Sequence, residues 1–150
     1  MARIIGLDPG ERRIGVAVSD PTGTIASPIG YIDVTDADPV GAVRDLCAEH
    51  EAGIVVVGLP VRLDGSEGDA ALRSRELGAK LEEVLGVDVR FWDERFTTVS
   101  AEKALLEGNV RRARRRTTRD QVAAALMLQG FLDRQGRDGG DGDDRRPDGG

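Results

Sequence analysis

The sequence holds one cysteine, Cys47, and one histidine, His50, in 150 residues. A single thiol excludes an internal disulfide framework and a Cys-cluster zinc site. A single imidazole excludes a His-rich metal site. Aromatic residues make up 3% of the chain, too few for base stacking to be the main mode of nucleic-acid recognition. No apolar run approaches the ~18 residues of a membrane span. The opening MARIIGLDPG carries too short an apolar stretch for a signal peptide. The chain is therefore expected to be cytoplasmic, with no membrane role, and of single-domain size. What remains for demanding chemistry is carboxylate.

Charge is plentiful but uneven. There are 27 acidic and 21 basic residues, for a net charge of −6, and 19 of the basic residues are arginine. Six of those arginines fall in residues 111–119, RRARRRTTR. An acidic body with one dense arginine segment has a local footprint for phosphate rather than a uniform coat. The alternative is a solvated surface loop. From residue 136 onward the sequence GRDGGDGDDRRPDGG has no apolar residue and cannot bury surface to offset its ordering entropy. The expectation is a folded domain over 1–135 and a disordered tail over 136–150.

The N-terminal third reads as strands. Residues 3–7 and 14–19 are apolar runs separated by the AspProGly turn at 8–10, and residues 25–34 form a third, bent near Pro28. Val40, Val43, Leu46 and Cys47 recur at helical spacing across 39–51. Residues 53–59, GIVVVGL, suit a strand buried on both faces. Ser66 is placed to cap a helix running to about Leu85, with Leu72, Leu77, Leu81 and Leu85 inward. A strand over 87–93 and a short helix over 97–107 follow. Thr118 and Gln121 fit a capping box opening a helix over 119–134. Three antiparallel strands and then strand–helix alternation predict an α/β fold, a five-stranded mixed sheet flanked by helices.

Three places carry acids in positions suited to chemistry. Asp8 sits where the first strand stops, between Gly6 and Gly10, and ligands in α/β sheets gather beyond strand carboxyl ends. A turn role for Asp8 is the plainer alternative. Asp93 and Glu94 end the strand over 87–93. Side chains alternate along a strand, so only one of the two faces a given site, and spacing does not choose between them. Asp120 lies near a helix start, where acids usually complement the dipole. Carboxylates on three separate elements can form an oxygen-ligand cluster for Mg²⁺ or Mn²⁺, and two such ions activate water in phosphodiester cleavage.

Four segments occur in order: GLDPGERRIGVAVSD at the start, GLPVRLDGSEG at 58–68, WDERFTT at 92–98 and DQVAAALMLQGFL at 120–132. Together they resemble the YqgF/RuvX family of pre-16S rRNA nucleases, once called Holliday-junction-resolvase-like, over essentially all of residues 3–133. The resemblance implies an RNase H-like fold. It also implies a catalytic and metal-binding triad of Asp8, Glu94 and Asp120, and so favours Glu94 over Asp93, which is left to pair Arg95 or cap a helix. The implied activity is divalent-metal-dependent hydrolysis of RNA in maturing the 5′ end of precursor 16S rRNA. A resolvase-like action on branched DNA is the older alternative. The ribosome is an implied partner, and the chain is expected as a monomer or a homodimer. Arg112, Arg114, Arg115 and Arg116 fit a phosphate-holding place in this family.

Arg12 and Arg13, on the hairpin beside Asp8, are equally suited to phosphate contact or plain exposure. The glycine-rich segment at 58–68 can line a nucleic-acid groove or simply connect strand to helix. Trp92, Phe91 and Phe96 read as packing residues, and Cys47 and His50 as structural and surface residues. Two other functions compete: a non-catalytic nucleic-acid-binding factor in rRNA processing or transcription, and a phosphotransferase of the actin/hexokinase type. The second needs two domains to enclose ATP, and the folded length supplies one.

Overall fold

The computed structural model describes residues 3–35, 38–96 and 115–138; the side chains of residues 115–121 and 136–138 lie outside the description. The chain runs β1 (Arg3–Pro9), β2 (Arg13–Ser19), β3 (Ala26–Asp33), α1 (Pro39–His50), β4 (Ala52–Leu59), α2 (Asp69–Leu85), β5 (Asp88–Asp93), a 3-10 turn (Glu94–Phe96) and α3 (Arg115–Asp138). The five strands form one sheet in the order β3-β2-β1-β4-β5. β1–β2 and β2–β3 pair antiparallel, β1–β4 and β4–β5 parallel. This is the mixed sheet expected from the sequence.

Strand alternation sorts the core into two layers. Ile5, Leu7, Ile14, Val16, Val18, Val55 and Val57 pack under α1 and α2 with Val43 and Leu81. On the other face Ile4, Ala17, Val56 and Trp92 pack against Ala124, Ala125, Met127, Leu128 and Leu132 of α3. β4 is covered on both sides, which accounts for its unbroken apolar run. Gly6 lets α3 settle on β1: a Cβ there would meet Leu128 Cβ at 2.9 Å.

β3 bends as expected, through a bulge. Val16 pairs Gly30 and Ala17 pairs Pro28, leaving Ile29 as the extra residue. Ser19 is buried and accepts a 2.9 Å hydrogen bond from the Ile4 N–H. It satisfies the backbone beside the register shift between Arg3 and Ile4, far along β1 from Asp8.

Three expectations are corrected. Ser66 does not cap α2: its N–H and hydroxyl both donate to the Asp64 carboxylate at 2.9 and 2.7 Å, and the helix starts from Gly68 without a side-chain cap. Leu72 points outward, 55% exposed. The small residues Ala71, Ser74 and Gly78 take the inward stripe with Leu81, bringing the helix close to Phe91 and Val89 of β5. Thr118 does not open α3, because helix is already present at Arg115; the arginine run itself has good helix propensity. α3 extends to Asp138. The helix expected over 97–107 and the tail beyond residue 138 fall outside the described residues.

Candidate functional site

Asp8 shares the α3 face of β1 with Ile4 and Gly6 by alternation. Its register partner on β2 is Gly15. On the other side β1 and β4 pair at Leu7↔Val57, and the next β4 residue is Gly58. Asp8 is half-buried, with glycines beside it on both neighbouring strands. Neither glycine puts a side chain of its own beside that carboxylate.

Glu94 reaches the same part of the sheet from β5. It opens the 3-10 turn directly after the strand, and its carboxylate lies over Gly58 on the face that Met127 of α3 also touches. A Cβ on Gly58 would meet Glu94 Oε2 at 2.5 Å and Met127 Cγ at 3.4 Å. Glu94 Oε2 is buried and accepts no hydrogen bond among the described residues. The turn carrying Glu94 is fastened to α3 by aromatic contacts. Trp92 meets Phe96 and Phe131 edge-on, with centroids 5.7 and 6.1 Å apart. The Arg134 guanidinium sits 5.2 Å over the Phe96 ring.

Asp93 has a different task. Both its oxygens engage Arg95, at 3.0 Å to Nε and 2.6 Å to Nη2, and it also accepts the Arg95 N–H. The Arg95 hydrogen bonds hold the Asp93 carboxyl below the usual carboxylate range, against its partial burial. The adjacent acids that spacing could not separate are thus divided, Asp93 to a bidentate ion pair and Glu94 to the glycine floor. Asp120 lies on α3, seven residues N-terminal to Met127, the residue that touches the Gly58 position. Its side chain lies outside the description. Among the described residues no three His, Cys, Asp or Glu side chains converge as a metal cluster.

Arg12 and Arg13 are exposed on the β1–β2 hairpin. Arg13 stacks 5.0 Å over Tyr31 and pairs in register with Asp33. Arg115 and Arg116 belong to the first turn of α3, whereas Arg112 and Arg114 lie outside the described residues. A cleft of about 610 Å³ opens between the hairpin and helices α1 and α2, lined by Pro9, Ile14, Val40, Arg73 and Leu77 among others. It lies across the sheet from Asp8 and Glu94 and is no part of this site. Arg95 takes Asp93, one of the two roles expected for that acid; what sequence reasoning missed is that Gly58 makes room for the Glu94 carboxylate. The signal for Gly58 was a glycine in an otherwise β-branched strand.

Residues 2–134 match the family model described as "RuvX: Holliday junction resolvase". The chain belongs to the RuvX family. Among curated RuvX-type relatives, a Myxococcus xanthus protein named "Putative pre-16S rRNA nuclease" is 50% identical over 133 residues, covering 87% of each chain. A relative of the same name from Pelotomaculum thermopropionicum is 45% identical over 137 residues, covering 90% of this chain and 89% of its own. Solved structures share the fold at low identity. The RuvC of T. thermophilus in complex with a Holliday junction substrate has a TM-score of 0.55 at 15% identity, over 93% of this chain and 97% of its own. The yeast mitochondrial Holliday junction resolvase has a TM-score of 0.59 at 12%, over 91% and 80%. The architecture is thus the RNase H-like one expected from the RuvX motifs.

Proposed function

We propose that this protein is a divalent-metal-dependent nuclease that trims the 5′ end of precursor 16S rRNA, with Asp8, Glu94 and Asp120 as its catalytic and metal-holding carboxylates. As a RuvX-family chain it is a nuclease; the substrate and the triad are the proposal. One observation carries it. Asp8 and Glu94, 86 positions apart in the sequence, share one face of the sheet over a floor of glycines, and Glu94 Oε2 is buried with no donor among the described residues. A buried charged acceptor left unsatisfied costs about 1–3 kcal/mol or more, and a cation beside it relieves that cost.

Asp8, Glu94 and Asp120 would hold Mg²⁺ or Mn²⁺, both of which favour carboxylate oxygen. Such an ion stabilises the negative charge that grows on the phosphate as water adds and a P–O bond breaks. The residues of the chain position the strand. Gly58 and Gly15 keep the floor low enough for a phosphate to approach, and the edge-on packing of Trp92 fixes the turn that aims Glu94. Arg12, Arg13 and the segment with Arg112, Arg114, Arg115 and Arg116 supply positive charge for the backbone. A pre-rRNA substrate makes the ribosome a partner and the cytoplasm the site of action. No helix among the described residues is long and apolar enough to cross a membrane.

The family description favours a second substrate, a branched DNA junction, which a homodimer with two sites would resolve. Both are tested together. Wild-type and Asp8→Asn protein are incubated with labelled precursor 16S rRNA 5′-end RNA and with a four-way DNA junction, in Mg²⁺, Mn²⁺ or EDTA. Metal-dependent cutting of the RNA by wild type alone supports the reading, and cutting of the junction alone transfers it to DNA. Binding without cutting in any metal contradicts it and leaves a non-catalytic binding factor.

A further inference from the structure

Immediately after β4 the chain forms a small closed hairpin over residues 60–68. Val61 and Glu67 bridge antiparallel. The Arg62 N–H donates to the Ser66 carbonyl at 2.9 Å, and the Gly65 N–H to the Arg62 carbonyl at 2.8 Å. Gly65 takes φ of 89°, a conformation that glycine adopts without strain. Asp64 braces the turn through both bonds from Ser66.

The hairpin is anchored at two points. Arg75 of α2 grips Glu67 through two bonds of 2.7 and 2.8 Å. Arg95, the residue after Glu94, donates from Nη1 to the Arg62 carbonyl at 3.4 Å while held by Asp93. The hairpin is therefore fastened to the turn that carries Glu94. At its tip stands Leu63, 94% exposed, more than any other large apolar side chain described. Being that exposed, the Leu63 side chain is free to pack against an outside partner. Its neighbour Arg62 makes no ion pair among the described residues and lies alongside Gly68 and Ser66.

We propose that this hairpin is a substrate-positioning prong, in which Leu63 packs against a base splayed from the nucleic-acid strand beside the scissile phosphate and Arg62 contacts a phosphate of the same strand. Apolar side chains wedge between bases elsewhere in nucleic-acid recognition, and a rigid carrier keeps such a wedge in register. The proposal rests on the nuclease reading for its location but not for its readout. It also accounts for how a chain poor in aromatics can hold a base.

The test uses full-length protein and precursor 16S rRNA 5′-end RNAs, each with one 2-aminopurine at a position flanking the mature end. Binding is followed by fluorescence in EDTA, and cleavage separately in Mn²⁺. Wild type is expected to raise the fluorescence of one position through unstacking. Leu63→Ser is expected to abolish that rise and to lower kcat/KM at least ~10-fold, the scale of losing one base contact. Leu63→Phe is expected to restore both. Because Leu63 is exposed, neither change should move Tm. An unchanged fluorescence rise and kcat/KM in Leu63→Ser overturn the prong and leave the nuclease intact. A Leu63-dependent rise without cleavage in any metal keeps the prong and overturns the nuclease. No rise with wild type at any position overturns the prong.

Discussion

Glu94 Oε2 occupies the space that a side chain on Gly58 would fill, 2.5 Å from where its Cβ would stand. The atom in the way is the far end of a flexible side chain, so Gly58→Ala is resolved by swinging the Glu94 carboxylate aside rather than by moving the sheet. The expected result is a loss of stability within about 1 kcal/mol with cleavage down ~100-fold, the cost of a misplacement of about 1 Å. Denaturant melts and single-turnover cleavage of the same protein check both halves.

Gly6→Ala behaves differently. Its new Cβ would meet Leu128 Cβ at 2.9 Å, an atom next to the α3 backbone that cannot swing away. The helix must shift off β1. A loss of about 1–3 kcal/mol is expected, with activity falling too because α3 carries Asp120. Urea denaturation beside the cleavage assay checks this.

Ser19→Ala separates stability from chemistry. It strips the acceptor from the buried Ile4 N–H, at a cost of about 1–3 kcal/mol. Ser19 ends β2 beside Ile4, at the opposite end of β1 from Asp8, so kcat well below the lowered Tm should match wild type. Thermal melts and rates at low temperature decide it.

Strong acid should loosen the β2–β3 connection. The N–H of Ile25, the Thr22 hydroxyl and the N–H of Thr24 all donate to Asp20 and hold its carboxyl at about 2, below the ordinary 3.8. A carboxyl lowered in the folded state stabilises it fully above the unfolded value. That contribution is lost as pH falls from about 4 through about 2. Amide exchange of Thr24 and Ile25 should accelerate across that window in wild type, and be fast and flat in Asp20→Ala.

Binding should depend steeply on salt. Each phosphate neutralised on a single strand contributes about −0.7 to the slope of log K against log salt. Replacing Arg112, Arg114, Arg115 and Arg116 by glutamine should flatten that slope and weaken RNA and DNA alike, as read by fluorescence anisotropy across salt concentrations.

The layers of this fold were legible because hydrophobic periodicity reports burial directly. The unbroken run IVVVGL in β4 is what a doubly covered strand requires, and the AspProGly turn marks the end of β1. Helix ends were less legible, because local hydrogen bonds compete. Ser66 has the chemistry of a cap, yet Asp64, two residues earlier, takes its hydroxyl. Leu72 was misplaced because the close approach of α2 to β5 selects small residues for the inward stripe. Asp8 could be suspected from its place at a strand end. That one of Asp93 and Glu94 would pair Arg95 could be suspected too, but spacing could not say which, since that depends on Gly58 making room for the other.

The central claim is that Asp8, Glu94 and Asp120 act as one metal-holding cluster above Gly58. Calorimetric titration with Mn²⁺ of wild type, Asp8→Asn, Glu94→Gln and Asp120→Asn, each first shown to be folded by circular dichroism, tests it most directly. The account predicts saturable binding by wild type and its loss, or weakening by at least ~10-fold, in all three variants, on the scale of losing one ligand interaction. Binding by folded Glu94→Gln that equals wild type would contradict it.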